Sequence, residues 1–350
     1  MKHMLKRIKG ALCIALCLVL LFSGCSGSDE GGESTQLSEG EKLQIGVTFD
    51  SFVIERWQRD RDVFVSTAKE LGAEVNVQDA GGDLEEQKSQ IEYFIEKGMD
   101  AIVIICVDSE GLKTEVEKAK AAGIVVISYD RLITDTDADL YITFDNTRVG
   151  ELMAQALVDA GLSGGKVLML GGPLTDSNVP WVEDAFTGVM EENDITILDS
   201  SHAKDWKAEL AAEYLYENPD IMEEADAIMC GNDNIASQVV PVLSERQLAG
   251  KILVVGQDAD LEACQRIVEG TQLMTVYKPI EKLAQRAAEC TVALIQGKSL
   301  SGEDVSTIEN GSYIVPYVGL EPIAVTAENM DEVIINSGFH LKEDVYLNVP

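Results

Sequence analysis

The sequence predicts an α/β protein of two doubly wound, Rossmann-like lobes. Three observations carry that expectation. From Leu43 onward, short runs rich in Val and Ile alternate with longer amphipathic stretches. The same rhythm restarts after Asn146, and two complete sets exceed what one core holds, since single cores stop growing near about 250–300 residues. Finally, the conspicuous polar pairs Asp130-Arg131, Asn232-Asp233 and Gln257-Asp258 each follow directly on an apolar run.

In the first set, residues 43–49, 74–77, 101–106, 124–129 and 140–144 read as strands. Residues 57–71, 84–97 and 109–122 read as the intervening helices, with Ser109 as an N-cap and Gly98 and Gly123 as C-terminal stops. In the second set, residues 166–170, 195–200, 227–230, 252–255 and 273–277 read as strands with helices between them. Strands this apolar, joined by crossover helices, imply parallel sheets covered on both faces. Ligands of such sheets bind beyond the carboxyl ends of the strands, which is where the polar pairs fall.

Ahead of Leu43 the chain is organised differently. Residues 1–24 have a basic start (Lys2, Lys6, Arg7, Lys9), an apolar run and small residues before Cys25, the pattern of a secretory signal. The apolar run is shorter than the roughly 20 residues that span a bilayer as a helix. Its Ser23-Gly24-Cys25 end resembles a bacterial lipobox, with Phe22 where that motif carries Leu, and implies lipidation of Cys25 and anchoring to the cell membrane. Residues 25–42 are rich in Ser, Gly and Glu, too poor in apolar side chains to offset ordering, and read as a flexible acidic tether.

The net charge of −34 argues against nucleic acid and anionic lipid headgroups as partners of the folded body. Cys106, Cys230, Cys264 and Cys290 sit on apolar segments without metal-ligand spacing and read as buried small hydrophobes. The chemistry of a catalyst is missing. There is no GxGxxG, and Gly297-Lys298-Ser299 lacks the earlier glycine of a phosphate loop. No GxSxG elbow occurs, and His202 and His340 have no catalytic neighbours in sequence and read as surface residues. Asp135, Asp137 and Asp139 alternate like the start of a calcium loop but lack its glycine and closing glutamate, and read as turn acids. No catalytic residue, metal site or cofactor is expected. The strand-end groups mix donors with acceptors, which suits sugar hydroxyls that do both.

Several stretches together resemble a known family: Glu55-Arg56-Trp57-Gln58-Arg59-Asp60, Gln87 to Glu92, Tyr129-Asp130-Arg131, Thr143 to Asn146, Gly150-Glu151-Leu152, Gly256 to Asp260, Thr275 to Pro279 and Gly338-Phe339-His340. They are similar to the type I periplasmic sugar-binding proteins of ABC transporters, and within them to the D-xylose-binding proteins. The resemblance implies two lobes, 43–145 plus 280–314 and 146–277 plus 317–350, joined by three crossovers near 145–146, 277–279 and 314–316. It implies a monosaccharide, D-xylose first, held between closing lobes and delivered to an ABC permease. Arg56, Trp57, Asp130 and Arg131 would come from the first lobe, Asn178, Trp206, Asn232 and Asp258 from the second, and Lys278 from a crossover. Asp258 would accept from two hydroxyls, Arg131 and Lys278 would donate, and Trp206 would stack on the ring with Trp57 at the other face. Trp181 is expected near the same cleft. The alternative is a sensory module that presents the closed form to a receptor kinase or chemoreceptor. An isomerase or hydrolase lacks its metal or nucleophile here, and a repressor of this fold would need a DNA-reading helix-turn-helix where the leader and tether stand.

Overall fold

Why the polar pairs converge follows from the order of the strands. The computed structural model describes residues 42–302 and 304–349; the leader, Cys25 and the tether through residue 41 lie outside the described residues. The first set comprises β1 (Leu43–Phe49), α1 (Arg56–Glu70), β2 (Ala73–Asp79), α2 (Leu84–Glu96), β3 (Ala101–Ile104), α3 (Lys113–Ala121), β4 (Val125–Tyr129) and β5 (Leu140–Phe144). β3 and β5 are buried at every position and β1 and β4 at all but one, as expected of parallel strands with helices on both faces. Asp83 caps α2 by accepting from the Glu85 and Glu86 amides at 2.9 and 3.3 Å.

The second set comprises α4 (Asn146–Asp159), β6 (Lys166–Gly171), α5 (Asn178–Glu192), β7 (Thr196–His202), α6 (Glu209–Glu217), α7 (Pro219–Glu224), β8 (Ala227–Cys230), α8 (Asp233–Glu245), β9 (Leu253–Gln257), α9 (Leu261–Glu269) and β10 (Met274–Tyr277). After it come α10 (Ile280–Ile295), β11 (Val305–Asn310), β12 (Tyr313–Leu320), β13 (Ile323–Val325) and α11 (Lys342–Val345). One sheet runs β11-β12-β5-β4-β3-β1-β2 and the other β13-β10-β9-β8-β6-β7. All pairings are parallel except β11 with β12 and β10 with β13.

The chain passes between the sheets three times. It leaves the first after β5, where Asp145 caps α4 through the Arg148 amide at 2.9 Å. It returns after β10, so that α10 packs against α1. The third passage corrects the sequence reading. Residues 314–316 are not a crossover but part of β12, which joins the first sheet, and the chain crosses at Glu321-Pro322. Pro316 is tolerated because the β12–β5 ladder begins one residue later, at Tyr317 opposite Tyr141. Ser109 is likewise not an N-cap. α3 starts at Lys113, and Ser109 instead donates its amide to Thr175 O at 2.9 Å and accepts from the Thr134 amide at 2.8 Å.

Beneath the carboxyl ends of β1 to β3, two buried glutamines of α2 fix the backbone. Gln87 donates to Ile105 O at 2.8 Å and accepts from the Val107 amide at 2.8 Å. Gln90 accepts from Thr48 Oγ1 at 2.7 Å and donates to Asp79 O at 2.9 Å. Buried polar groups satisfied in this way hold a loop edge in one geometry. The four cysteines of the folded body are buried and free.

α4 and α5 approach closely because Gly150 has no side chain: a Cβ there would lie 2.1 Å from Val182 O and 3.0 Å from Ala185 Cβ. Gly150→Ala is expected to destabilise by about 1–3 kcal/mol through overpacking. Gly188→Ala, on a helix position where an added Cβ meets nothing within 4 Å, is expected to leave stability unchanged or raise it by up to about 1 kcal/mol. Thermal unfolding of the two variants side by side measures the contrast.

Candidate binding site

In each sheet the strand order reverses once, and a reversal opens a crevice at the strand ends. In the first sheet it lies between β1 and β3. Arg131 sits over it, donating from Nη1 to Asp50 Oδ2, just past β1, at 2.8 Å and to Cys106 O, just past β3, at 2.9 Å. In the second sheet it lies between β6 and β8. Here Gly171, Gly172 and Gly231 bring the two backbones together; a Cβ on Gly231 would stand 2.9 Å from the Gly172 amide. The crevices face each other and enclose one cavity, lined by residues of both lobes.

Its walls carry a buried charge network. Arg56 donates to Asp60 from Nε at 3.2 Å and to Asp130 from Nη2 at 2.8 Å. Tyr129 donates its hydroxyl to Asp60, and the Arg56 guanidinium lies 4.4 Å over the Trp57 ring. Arg131 Nε is 2.6 Å from Asp176 of the second lobe, and Asp176 accepts from Trp206 Nε1 at 3.1 Å. Lys278 Nζ lies 3.1 Å from Asp258 Oδ1, and Arg56 Nη1 is 4.0 Å from the same oxygen. Burial works to raise the Asp130 carboxyl, but Arg56, Lys278 and Arg131 outweigh it and hold that group below the usual carboxylate range. Burial prevails at Asp60 and Asp50 and raises both despite their arginine partners. Five carboxylates thus surround three cations, so an added anion would meet net repulsion while a neutral hydrogen-bonding molecule would not.

The pocket also stores backbone strain. Asp130, Trp206 and Asp258 have φ of 64°, 55° and 96°, a region that non-glycine residues adopt at a cost and that clusters at binding sites. Asp130 is held there by its amide to Ile142 O at 2.8 Å and by its carbonyl, which accepts from Thr143 Oγ1 at 2.7 Å. Trp206 lies against Gly172, where a Cβ would come within 2.3 Å of its ring. Asp258 Oδ1, Gln257 Oε1 and Trp57 Nε1 belong to pocket-lining residues, are buried, and have no aligned hydrogen-bond partner among the described residues.

All nine side chains singled out in the sequence, Arg56, Trp57, Asp130, Arg131, Asn178, Trp206, Asn232, Asp258 and Lys278, line this one cavity. Asn178 opens α5 and crosses to the first lobe, donating to Asp130 O at 3.1 Å and accepting from Asn146 Nδ2 at 2.9 Å. Asn232 caps α8 through the Ile235 amide at 2.9 Å. Trp181, expected near the cleft, does not line the cavity and packs 6.3 Å from the Tyr141 ring. Missed were Asp176, Asn146, Glu183 and Gly172; of these only Asn146 carried a signal, as the residue that ends a recognisable stretch at the close of β5. The two histidines are not plain surface residues. His202 faces Glu183 at 3.0 Å and His340 faces Ala259 O at 2.8 Å, both half-buried.

Residues 45–299 match the model of the periplasmic binding protein domain. The chain belongs to the periplasmic binding protein family. This family member is 40% identical over 97% of its length to the D-xylose-binding periplasmic protein of Haemophilus influenzae, covering 99% of that protein. It is 38% identical over 97% of its length to the D-xylose-binding periplasmic protein of Escherichia coli, covering 100% of it. An ABC transporter solute-binding protein from Clostridium phytofermentans, solved with bound β-D-glucose, superposes with a TM-score of 0.78 at 26% identity, covering 86% of this chain and 99% of that one. The fold is the type I arrangement of two α/β lobes, and these relatives are solute-binding proteins, not enzymes.

Because the folded carboxyl of Asp130 is held below its ordinary range, its contribution to stability is present above its unfolded value, about pH 4, and is lost as pH falls through the folded value. Wild type and Asp130→Asn, melted at a series of pH values from about 7 down to about 3, are expected to differ most near neutrality and to converge on acidification. A gap that stays constant would contradict this.

Proposed function

We propose that this periplasmic binding protein captures a monosaccharide, D-xylose first, between its two lobes and delivers it to an ABC permease, with lipidated Cys25 anchoring it at the outer face of the cell membrane. The observation that carries the reading is a pocket walled by both lobes in which buried polar atoms lack hydrogen-bond partners among the described residues: Gln257 Oε1 and Trp57 Nε1. Leaving such groups unpaired costs about 1–3 kcal/mol each, and a polyhydroxylated ligand restores the bonds. The excess of carboxylates favours an uncharged solute. The indole rings of Trp57 and Trp206 offer flat apolar surface for the C–H face of a pyranose. Xylose is put ahead of glucose on the 40% and 38% identity to D-xylose-binding relatives.

Cross-lobe contacts give closure its mechanism. Ser109 N to Thr175 O at 2.9 Å, Leu132 N to Ser177 Oγ at 2.8 Å and the Asn178–Asp130 bonds exist only when the lobes meet. A sugar that bridges both walls therefore shifts the population toward the closed form.

Tryptophan fluorescence of residues 43–350, titrated with xylose, arabinose, ribose, glucose and galactose, tests the reading. A saturable change with xylose and a weaker one with glucose is the expected result; silence toward every sugar in a folded sample would refute it. Asp258→Ala is expected to weaken xylose binding roughly tenfold to a hundredfold, the range for one charge-assisted hydrogen bond. In the full chain, Cys25→Ser is expected to move the protein from the membrane to the soluble fraction, read by fractionation and blotting.

A further inference from the structure

Asp258 reaches the pocket from an unfavourable backbone. Its φ is 96° and that of Ala259 is 55°, so two successive non-glycine residues stand in left-handed space. Five hydrogen bonds hold the turn. Asp258 N donates to Val276 O at 2.8 Å, Ala259 N to Thr275 Oγ1 at 3.1 Å and Asp260 N to Asp233 Oδ2 at 3.2 Å. These three come from β10 and α8 of the same lobe. The other two reach the Ala259 carbonyl: Cys264 Sγ of α9 donates to it at 3.6 Å, and His340 Nε2, from the C-terminal segment, donates to it at the shorter distance of 2.8 Å.

The imidazole is itself fixed. The Phe339 ring meets it edge-on at 4.5 Å and meets Tyr277 at 4.8 Å. Across the lobe boundary, Arg59 of α1 lies 4.3 Å over the Phe339 ring, donates to Phe339 O from both terminal nitrogens at 3.2 Å, and pairs with Glu281 of α10 at 3.1 Å. His340 does not line the pocket; it lines the outer groove beside Asp258, Ala259 and Asp260.

We infer that His340 is a positioning residue for the binding site: by holding the Ala259 carbonyl it keeps the preceding Asp258 carboxylate turned toward Lys278 and the pocket. The inference rests on the reading of Asp258 as a ligand-binding group. Burial lowers the His340 pKa, which keeps the ring neutral near pH 7, with its single proton on Nε2 as the carbonyl requires.

The test compares His340→Leu, which cannot donate, with His340→Gln, whose amide can reach the same carbonyl. Each is made alone and with Asp258→Asn, and D-xylose affinity is measured by calorimetry alongside melting without sugar. The expected result is a roughly tenfold loss in His340→Leu, recovery of most of it in His340→Gln, and no further loss when His340→Leu is added to Asp258→Asn. Wild-type affinity in His340→Leu, an equal loss in the Asp258→Asn background, or a lower melting temperature with unchanged affinity would each overturn the inference. If the wild type binds no sugar, the functional reading fails separately. The crystal structure of His340→Leu then decides the positioning role: an Asp258 φ near 96° and an unmoved Lys278 contact refute it, and a displaced carboxylate supports it.

Discussion

Arg131 carries its charge at 2% exposure, and its partners come from both lobes. Asp50 and the Cys106 carbonyl approach from the first lobe, Asp176 from the second. A buried guanidinium stripped of one partner is costly, on the order of 3–5 kcal/mol for a broken buried pair. That cost gives the two halves a reason to come together around this point. Asp176 then fixes the Trp206 indole through its Nε1. The aromatic wall is thus set by the same carboxylate that completes the ion pair, and the shape of the pocket and the meeting of the lobes are one electrostatic problem.

The remaining walls follow the same logic of side chains held by their surroundings. Arg56 is clamped between Asp60 and Asp130, with Tyr129 behind Asp60. Asp130 and Asp258 stand at strand ends in left-handed conformations that sheet hydrogen bonds maintain. Groups fixed in this way lose little freedom when they engage a ligand, which is how a small, weakly interacting molecule can be held firmly.

What was legible in the sequence was whatever position alone could mark. Asp130, Arg131, Asn232 and Asp258 follow uninterrupted apolar runs, so strand ends and site residues were visible together. Asp176 was not, because it stands in a polar loop among many acids in a chain with 61 of them, and only the approach of Arg131 distinguishes it. Gly172 is informative only once Trp206 is seen lying on it. Ser109 has the chemistry of a cap, yet the cross-lobe bond to Thr175 takes its amide and the helix starts later. The resemblance put a crossover near 314–316, and the fit of Pro316 in β12 depends on a register that no local pattern encodes.

The interleaving of the chain between the sheets bears on how the molecule is made. Residues 43–144 supply five strands of the first sheet, but the other two come from 305–320, after the whole second sheet except β13. A chain emerging from the ribosome or a translocation channel therefore exposes the open edge of β5 until Leu320 has appeared, and the second sheet waits still longer for β13. Long-range pairing of this kind is slow to form and leaves unpaired strand edges exposed in the meantime. Neither lobe can reach its finished form before nearly the entire polypeptide has been synthesised, so the pair matures as a unit rather than one after the other.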